Sequence, residues 1–132
     1  MKVLADTGAL LALILRNDQN HRAAAEYIRQ NPATRFVLTE LILAEVTTRV
    51  RARADAARAV AVARDLLSSR RYEVIFVDVE LLGGAVDRMA RLGDKRLSLC
   101  DCASFEVMER LGLGQAFTFD RDFRDCGFPM VP

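Results

Sequence analysis

Lys2-Val3-Leu4-Ala5-Asp6-Thr7-Gly8-Ala9-Leu10-Leu11-Ala12-Leu13-Ile14-Leu15 is the stretch on which the fold turns. Residues 2–5 are short and mostly apolar, which predicts a buried strand. Asp6-Thr7-Gly8 then turns the chain into a helical run from Ala9 to Leu15. A buried strand that passes at once into an apolar helix is the opening unit of a parallel α/β sheet. The carboxylate at the junction is equally telling. Asp6 closes an apolar run, and a buried acid is costly unless it is paired, protonated or bound to a cation.

The same alternation continues to the end of the chain. Asp18 is the expected cap of a helix over about 19–30, which Asn31-Pro32 stops. Phe36 to Leu38 reads as a second strand, and Thr39 caps a helix reaching about residue 52. Asp55 caps an Ala-rich helix to about 69, and Glu73 to Val77 is the expected third strand. Asp78 or Val79 opens a helix to about 92, with Leu82, Val86, Met89 and Ala90 as its core face and Gly93 as its C-terminal cap. Ser98-Leu-Cys-Asp101 has the spacing of a capping box for a helix ending near Leu111-Gly112. Gln115 to Phe119 is the fourth strand, and Phe128 to Val131 is a small fifth. The expected fold class is α/β, a three-layer α/β/α sandwich around a central, mainly parallel sheet of four to five strands. One domain is expected over residues 1–132, a usual domain size.

Composition narrows the function classes. The apolar fraction is 52%, which excludes a disordered chain. No apolar run approaches the ~20 residues of a membrane span, and the run after Asp6 is no secretory signal. A cytoplasmic protein is the expectation. The three cysteines, Cys100, Cys102 and Cys126, are too few and too irregular for a disulfide framework. Net charge is +1, so bulk charge does not announce a polyanion partner. Arginine outnumbers lysine 17 to 2, which provides planar forks suited to phosphate or reflects codon bias.

Four carboxylates sit against apolar surroundings. Asp6 ends Val3-Leu4-Ala5. Glu45 interrupts Leu41-Ile42-Leu43-Ala44 and Val46. Asp101 shares a helix face with Phe105 and Met108. Asp120 follows Ala116-Phe117-Thr118-Phe119. Each has an ordinary reading as a cap, a turn residue or a solvated side chain, and their joint placement carries the weight. In open α/β sheets ligands bind beyond the carboxyl ends of strands, where strand order reverses. If the first and fourth strands are neighbours, Asp6 and Asp120 emerge together. Oxygen-only donors of this kind suit Mg²⁺ or Mn²⁺. Such ions polarise a phosphodiester, activate water and stabilise the leaving oxygen. Thr7, Ser98, Thr118 and Asp122 are the supporting candidates.

At these residues the chain resembles the PIN-domain family, in particular the VapC-type toxins of toxin–antitoxin modules. The matching segments are Val3 to Thr7, Leu41 to Val46, Leu97 to Phe105 and Ala116 to Phe123, in the family's order. The resemblance implies a Mg²⁺- or Mn²⁺-dependent endoribonuclease that hydrolyses RNA without a covalent intermediate. It assigns the acidic site to Asp6, Glu45, Asp101 and Asp120, with Asp122 as an extra acid. Glu40 is a rival to Glu45, but only Glu45 fits the Leu-Ala-Glu pattern. It also implies a homodimer and a cognate antitoxin, whose Arg often enters the acidic site. Two other readings remain at this point. A non-catalytic binding module would use the acids as caps or as a docking patch. An aspartyl-phosphate phosphohydrolase would use Asp6 as nucleophile, but the second acid it wants two residues on is here Gly8.

Overall fold

The structure is a computed structural model that describes residues 1–132. Five strands alternate with seven helices. In chain order they are β1 (Lys2–Ala5), α1 (Thr7–Ile14), α2 (His21–Gln30), β2 (Arg35–Thr39), α3 (Glu40–Arg53), α4 (Ala56–Ser68), β3 (Tyr72–Ile75), α5 (Val79–Arg91), α6 (Leu99–Leu111), β4 (Ala116–Phe117), α7 (Arg121–Asp125) and β5 (Met130–Val131). Sheet order is β3-β2-β1-β4-β5, and every pairing is parallel. The chain steps outward from β1 to β3, then returns to the other side of β1 with β4. The reversal of strand order therefore lies between β1 and β4.

Alternation along the strands divides the apolar residues between two cores. Val3, Ala5, Phe36, Leu38 and Phe117 point to the face covered by α1 to α4, among Leu10, Ala24, Ile42, Val46 and Leu66. Leu4, Val37 and Ala116 point to the other face, against Leu81, Ala85, Phe105, Met108 and Phe123 of α5 to α7. These strands are buried on both sides, as parallel sheets require. The three-layer α/β/α sandwich follows directly.

Several boundaries differ from the expectation for local reasons. The first helix already begins at Thr7, because Asp6 supplies the cap position and its carbonyl accepts from Leu10 N at 3.1 Å. Asp18 does not cap α2. Its Oδ1 accepts from Asn20 N at 2.8 Å, a local turn, and the helix opens two residues later with Asn20 at the cap. The third strand ends at Ile75 and not at Val77. Val77 N leaves the ladder and donates to both oxygens of Glu40, at 2.9 and 2.8 Å. The fourth strand shrinks to Ala116–Phe117 as Thr118 turns toward Asp6. Gly93 is not the cap of α5, which ends at Arg91 with Leu92 at the cap; the left-handed cap is Gly112 of α6, at φ 64°.

The largest correction concerns α5. Leu82, Val86, Met89 and Ala90 form a helical stripe, but that stripe faces out. Leu81, Ala85 and Arg88 face in. Two features set this phase. Asp78 Oδ1 accepts from Leu81 N at 2.8 Å and fixes the first turn. Gly84 then lets α5 approach α6 closely, since a Cβ there would stand 2.8 Å from Glu106 Oε2. Arg88 is 7% exposed and donates to Glu106 Oε1 at 3.0 Å and to Glu109 Oε2 at 2.7 Å. Hydrophobic periodicity cannot foresee that an arginine holds the inner face.

Removing one partner of a largely buried ion pair strands the other charge. Arg88→Met is expected to lower the unfolding free energy by about 3 kcal/mol, read from urea denaturation. Arg88→Met combined with Glu106→Leu should lose clearly less, because no stranded acid remains at the pair.

Candidate active site

Sequence brings one acid to each of four elements, and topology brings the elements together. A cleft of about 420 Å³ opens at the carboxyl ends of β1 and β4. Its walls include Asp6, Thr7 and Gly8 from the β1–α1 junction, Glu45 and Arg49 from α3, Ser98 and Asp101 from the start of α6, and Phe119 and Asp120 after β4. Asp18, Gln19 and Asn20 close the remaining side. Asp6, Glu45, Asp101 and Asp120 thus face one space. Asp122 is not among its walls, and its N–H instead donates to Asp120 Oδ1 at 2.9 Å. Glu40 also lies elsewhere, with its carboxylate committed to Val77 N.

The four acids differ in setting. Asp6 is 8% exposed, Glu45 and Asp101 are half-buried, and Asp120 is exposed, contrary to the expectation that all four stand in apolar surroundings. Asp6 occupies the cap position of α1, yet its carboxylate makes no capping hydrogen bond. It accepts from Thr118 Oγ1 at 3.0 Å. The same hydroxyl oxygen accepts from Asp120 N at 3.0 Å, so Thr118 ties the first acid to the backbone of the last. Thr7 Oγ1 donates to Glu45 Oε2 at 3.4 Å, and Arg49 Nη2 donates to Glu45 Oε1 at 3.0 Å. Asp101 forms the full capping box: its N–H donates to Ser98 Oγ at 3.0 Å, and its Oδ2 accepts from Ser98 N at 3.1 Å. Capping and cleft-lining coexist in this residue.

Electrostatics mark Asp6 as the strained member. Burial pushes its carboxyl up to about 7, with the nearby Asp101 charge adding to the effect and the Thr118 hydrogen bond opposing it. Asp101 is also raised, chiefly by burial and then by the charges of Asp120 and Glu45, against the lowering effect of Ser98. Cys100, beside Glu45, is held firmly in its thiol form by burial and by those acids.

A hard cation suits this donor set. Three of the acids have no ion-pair partner, and Arg49 on Glu45 is the one cation in the cleft walls that pairs with an acid. No three His, Cys, Asp or Glu side chains stand close enough together to hold an ion as a set. Mg²⁺ keeps several waters and is commonly held by one or two carboxylates together with substrate phosphate.

A family model described as PIN domain matches residues 3–129. The chain belongs to the PIN-domain family. The 23S rRNA-specific endonuclease VapC20 of Mycobacterium tuberculosis is 30% identical over 130 residues, or 98% of this chain and 97% of the relative. The crystal structure of M. tuberculosis VapC20, described as a sarcin-ricin loop cleaving toxin, matches with a TM-score of 0.88 at 28% identity, over 96% of this chain and 95% of that one. VapBC2 from Rickettsia felis, crystallised with a promoter DNA fragment, shares the fold at a TM-score of 0.72 and 12% identity, over 98% and 97% of the two chains. The acidic cleft of this PIN domain therefore sits in a scaffold shared along nearly the whole chain.

Sequence reasoning passed over Gln19 and Asn20 as cleft walls. No local signal marks them, since the Asp18 turn folds them over the acids. Arg49 carries a visible signal, because it stands four residues after Glu45 on one helix face.

The Asp6 carboxyl titrates higher in the folded protein, at about 7, than near 3.9 in the unfolded chain. Below pH 4 both states hold the proton and nothing is lost. Between pH 4 and 7 the unfolded chain gives up its proton first, so stability falls. In metal-free buffer, Asp6→Asn should therefore match the wild type at pH 4 and exceed it at pH 8, by up to about 4 kcal/mol. Chemical denaturation at the two pH values checks this, and equal differences at both would contradict the burial argument.

Proposed function

We propose that this protein is a metal-dependent endoribonuclease of the VapC type, the toxin of a toxin–antitoxin pair. The observation that carries the reading is the convergence of Asp6, Glu45, Asp101 and Asp120 on one cleft at the strand-order reversal, with a single arginine to offset them. Similarity along 98% of the chain to a 23S rRNA-specific endonuclease supports the substrate class.

Asp6, Asp101 and Asp120, with Glu45, are the residues that would hold Mg²⁺ or Mn²⁺. When bound, such an ion supplies Lewis-acid polarisation of the phosphodiester and a more acidic water. The chain's own contribution is positional. Thr118 holds Asp6 toward the cleft, and Thr7 and Arg49 orient Glu45. Ser98 fixes Asp101 in the first turn of α6. Hydrolysis then proceeds by attack of water at phosphorus and departure of the ribose oxygen, with no covalent enzyme intermediate. Gly8, two residues after Asp6, offers no acid for an aspartyl-phosphate route.

The family reading extends to partners. The apolar groove between α3 and α4, lined by Leu43, Ala59, Val60 and Ala63, supports an antitoxin contact. The outward stripe of α5, Val79, Leu82, Val86 and Met89, supports pairing with a second copy of the chain. No helix is long and apolar enough to cross a membrane.

The test is cleavage of a 23S rRNA fragment in Mg²⁺ or Mn²⁺ and in EDTA. Wild type should cut only with metal. Asp6→Asn and Asp101→Asn should fold and lose roughly a hundredfold or more in rate, the consequence of losing several kcal/mol of charge stabilisation. Wild-type rates in Asp101→Asn would overturn the site assignment. A folded wild type that neither cleaves RNA nor binds Mn²⁺ would leave the binding-module reading.

A further inference from the structure

Beside the acidic cleft lies a second cavity, of about 570 Å³, walled by Leu15, Arg16, Asn17, Arg53, Ala54 and Arg58. Three of its six walls are arginines and none is an acid. Ion pairs in this protein involve only Lys2, Arg29, Arg49, Arg88 and Arg110. Arg16, Arg53 and Arg58 form none, and what sets them apart from the other unpaired arginines is that they line one cavity. Of the acids nearest them in sequence, Asp55 spends an oxygen on capping α4, accepting from Arg58 N at 2.7 Å, and Asp18 accepts from Asn20 N at 2.8 Å. Arg58 is itself anchored, with Nη2 donating to Ile14 O at 2.8 Å.

Two segments of the chain contribute residues to both cavities, although no residue lines both. The connection after α1 presents Arg16 and Asn17 to the basic cavity and Asp18, Gln19 and Asn20 to the acidic one. Along α3, Glu45 and Arg49 line the acidic cleft and Arg53 lines the basic cavity. These three residues are spaced by four and so follow one face of the helix. Arg53 stands about 12 Å along α3 from Glu45, at ~1.5 Å per residue. Three guanidinium groups without counter-charge repel one another. Planar N–H forks fit phosphate oxygens.

We propose that Arg16, Arg53 and Arg58 form a subsite for a backbone phosphate of the RNA, one or more nucleotides away from the bond cut in the acidic cleft. The inference takes its ligand from the nuclease reading, although the geometry of the cavity stands independently. A polyanionic strand crossing both cavities places its scissile phosphate among the acids and a flanking phosphate among the arginines. The subsite holds backbone and not base edges, so it raises affinity without selecting sequence. Its function is to offset the repulsion that the acidic cleft exerts on RNA.

The experiment measures fluorescence anisotropy of a labelled oligouridylate 12-mer in EDTA, where nothing is cleaved and no metal contributes. Arg16→Gln/Arg53→Gln/Arg58→Gln is compared with wild type and with Arg35→Gln/Arg70→Gln/Arg91→Gln, which removes equal charge from other surfaces. The cavity triple should bind at least tenfold more weakly, with a salt dependence shallower by about one unit of slope. The control triple should stay within about twofold. Arg16→Gln/Arg53→Gln removes no hydrogen bond made in the structure and should show a smaller loss in the same direction, which guards against misfolding through Arg58. Equal weakening by both triples would reduce the effect to bulk charge and overturn the subsite. So would unchanged binding, or an oligoglutamate of equal charge outcompeting the RNA, which would assign the cavity to an acidic protein segment. Cleavage in Mg²⁺ is scored separately, so weak RNA cutting with intact arginine-dependent binding counts against the nuclease reading alone.

Discussion

A carboxylate buried at the end of the central strand organises the functional end of this molecule. Asp6 follows β1, the middle strand of five, and is nearly inaccessible. Ionising such a group is costly. The fold meets that cost with the Thr118 hydroxyl and the Thr7 backbone, and with no positive side chain. Its neighbours across the cleft are more acids, which raise the cost further. A cation bound beside these acids would relieve that cost.

The topology explains why the acids meet. A strand order of 3-2-1-4-5 places β4 directly beside β1, so the segments leaving both strands diverge above a common crevice. Asp6 N donates to Phe117 O at 3.0 Å, which sets the two segments in register. Thr118 continues that tie through its side chain. α3 and α6 then enter from opposite faces of the sheet, carrying Glu45 and Asp101. Each acid also has a local task or partner: Asp6 and Asp120 sit at cap positions, Asp101 closes a capping box, and Glu45 pairs with Arg49. Structural and chemical roles are therefore not competing explanations for these residues.

The two faces of the sheet are stabilised differently. On the α1–α4 side the inner residues are apolar and aromatic, with Phe36 and Phe117 packed at 5.4 Å between ring centroids. On the other side α5 meets α6 through Gly84, Ala85 and the Arg88–Glu106 pair. That polar seam leaves the more hydrophobic stripe of α5 facing outward. A largely buried ion pair contributes little net stability over an apolar contact. With the Asp78 cap and the close approach at Gly84, it accompanies the phase in which Leu82, Val86 and Met89 point away from the core.

The alternation of strands and helices was legible in the chain because it depends on neighbours in sequence: apolar runs of four or five residues, caps at Thr39, Asp55, Asp78 and Ser98, and a left-handed glycine after Leu111. The candidate acids were legible for the same reason, since each interrupts or closes a local apolar pattern. Glu40, already disfavoured by the Leu-Ala-Glu pattern, is held away from the cleft by a tertiary contact to Val77 N, and Asp122 lies in the local turn that its N–H makes with Asp120. The outward phase of α5 depended on Glu106, which is 18 residues from Arg88 in sequence. Gln19, Asn20 and the arginine cavity likewise depend on loops meeting helices from distant parts of the chain. Sequence by itself determined the order of strands and helices, most of their caps and the candidate acids, because those properties arise from short-range backbone and burial preferences. The tertiary structure alone decided which acids share a space, which face of α5 is inside and which arginines line one cavity, because those are distances between segments that no local pattern encodes.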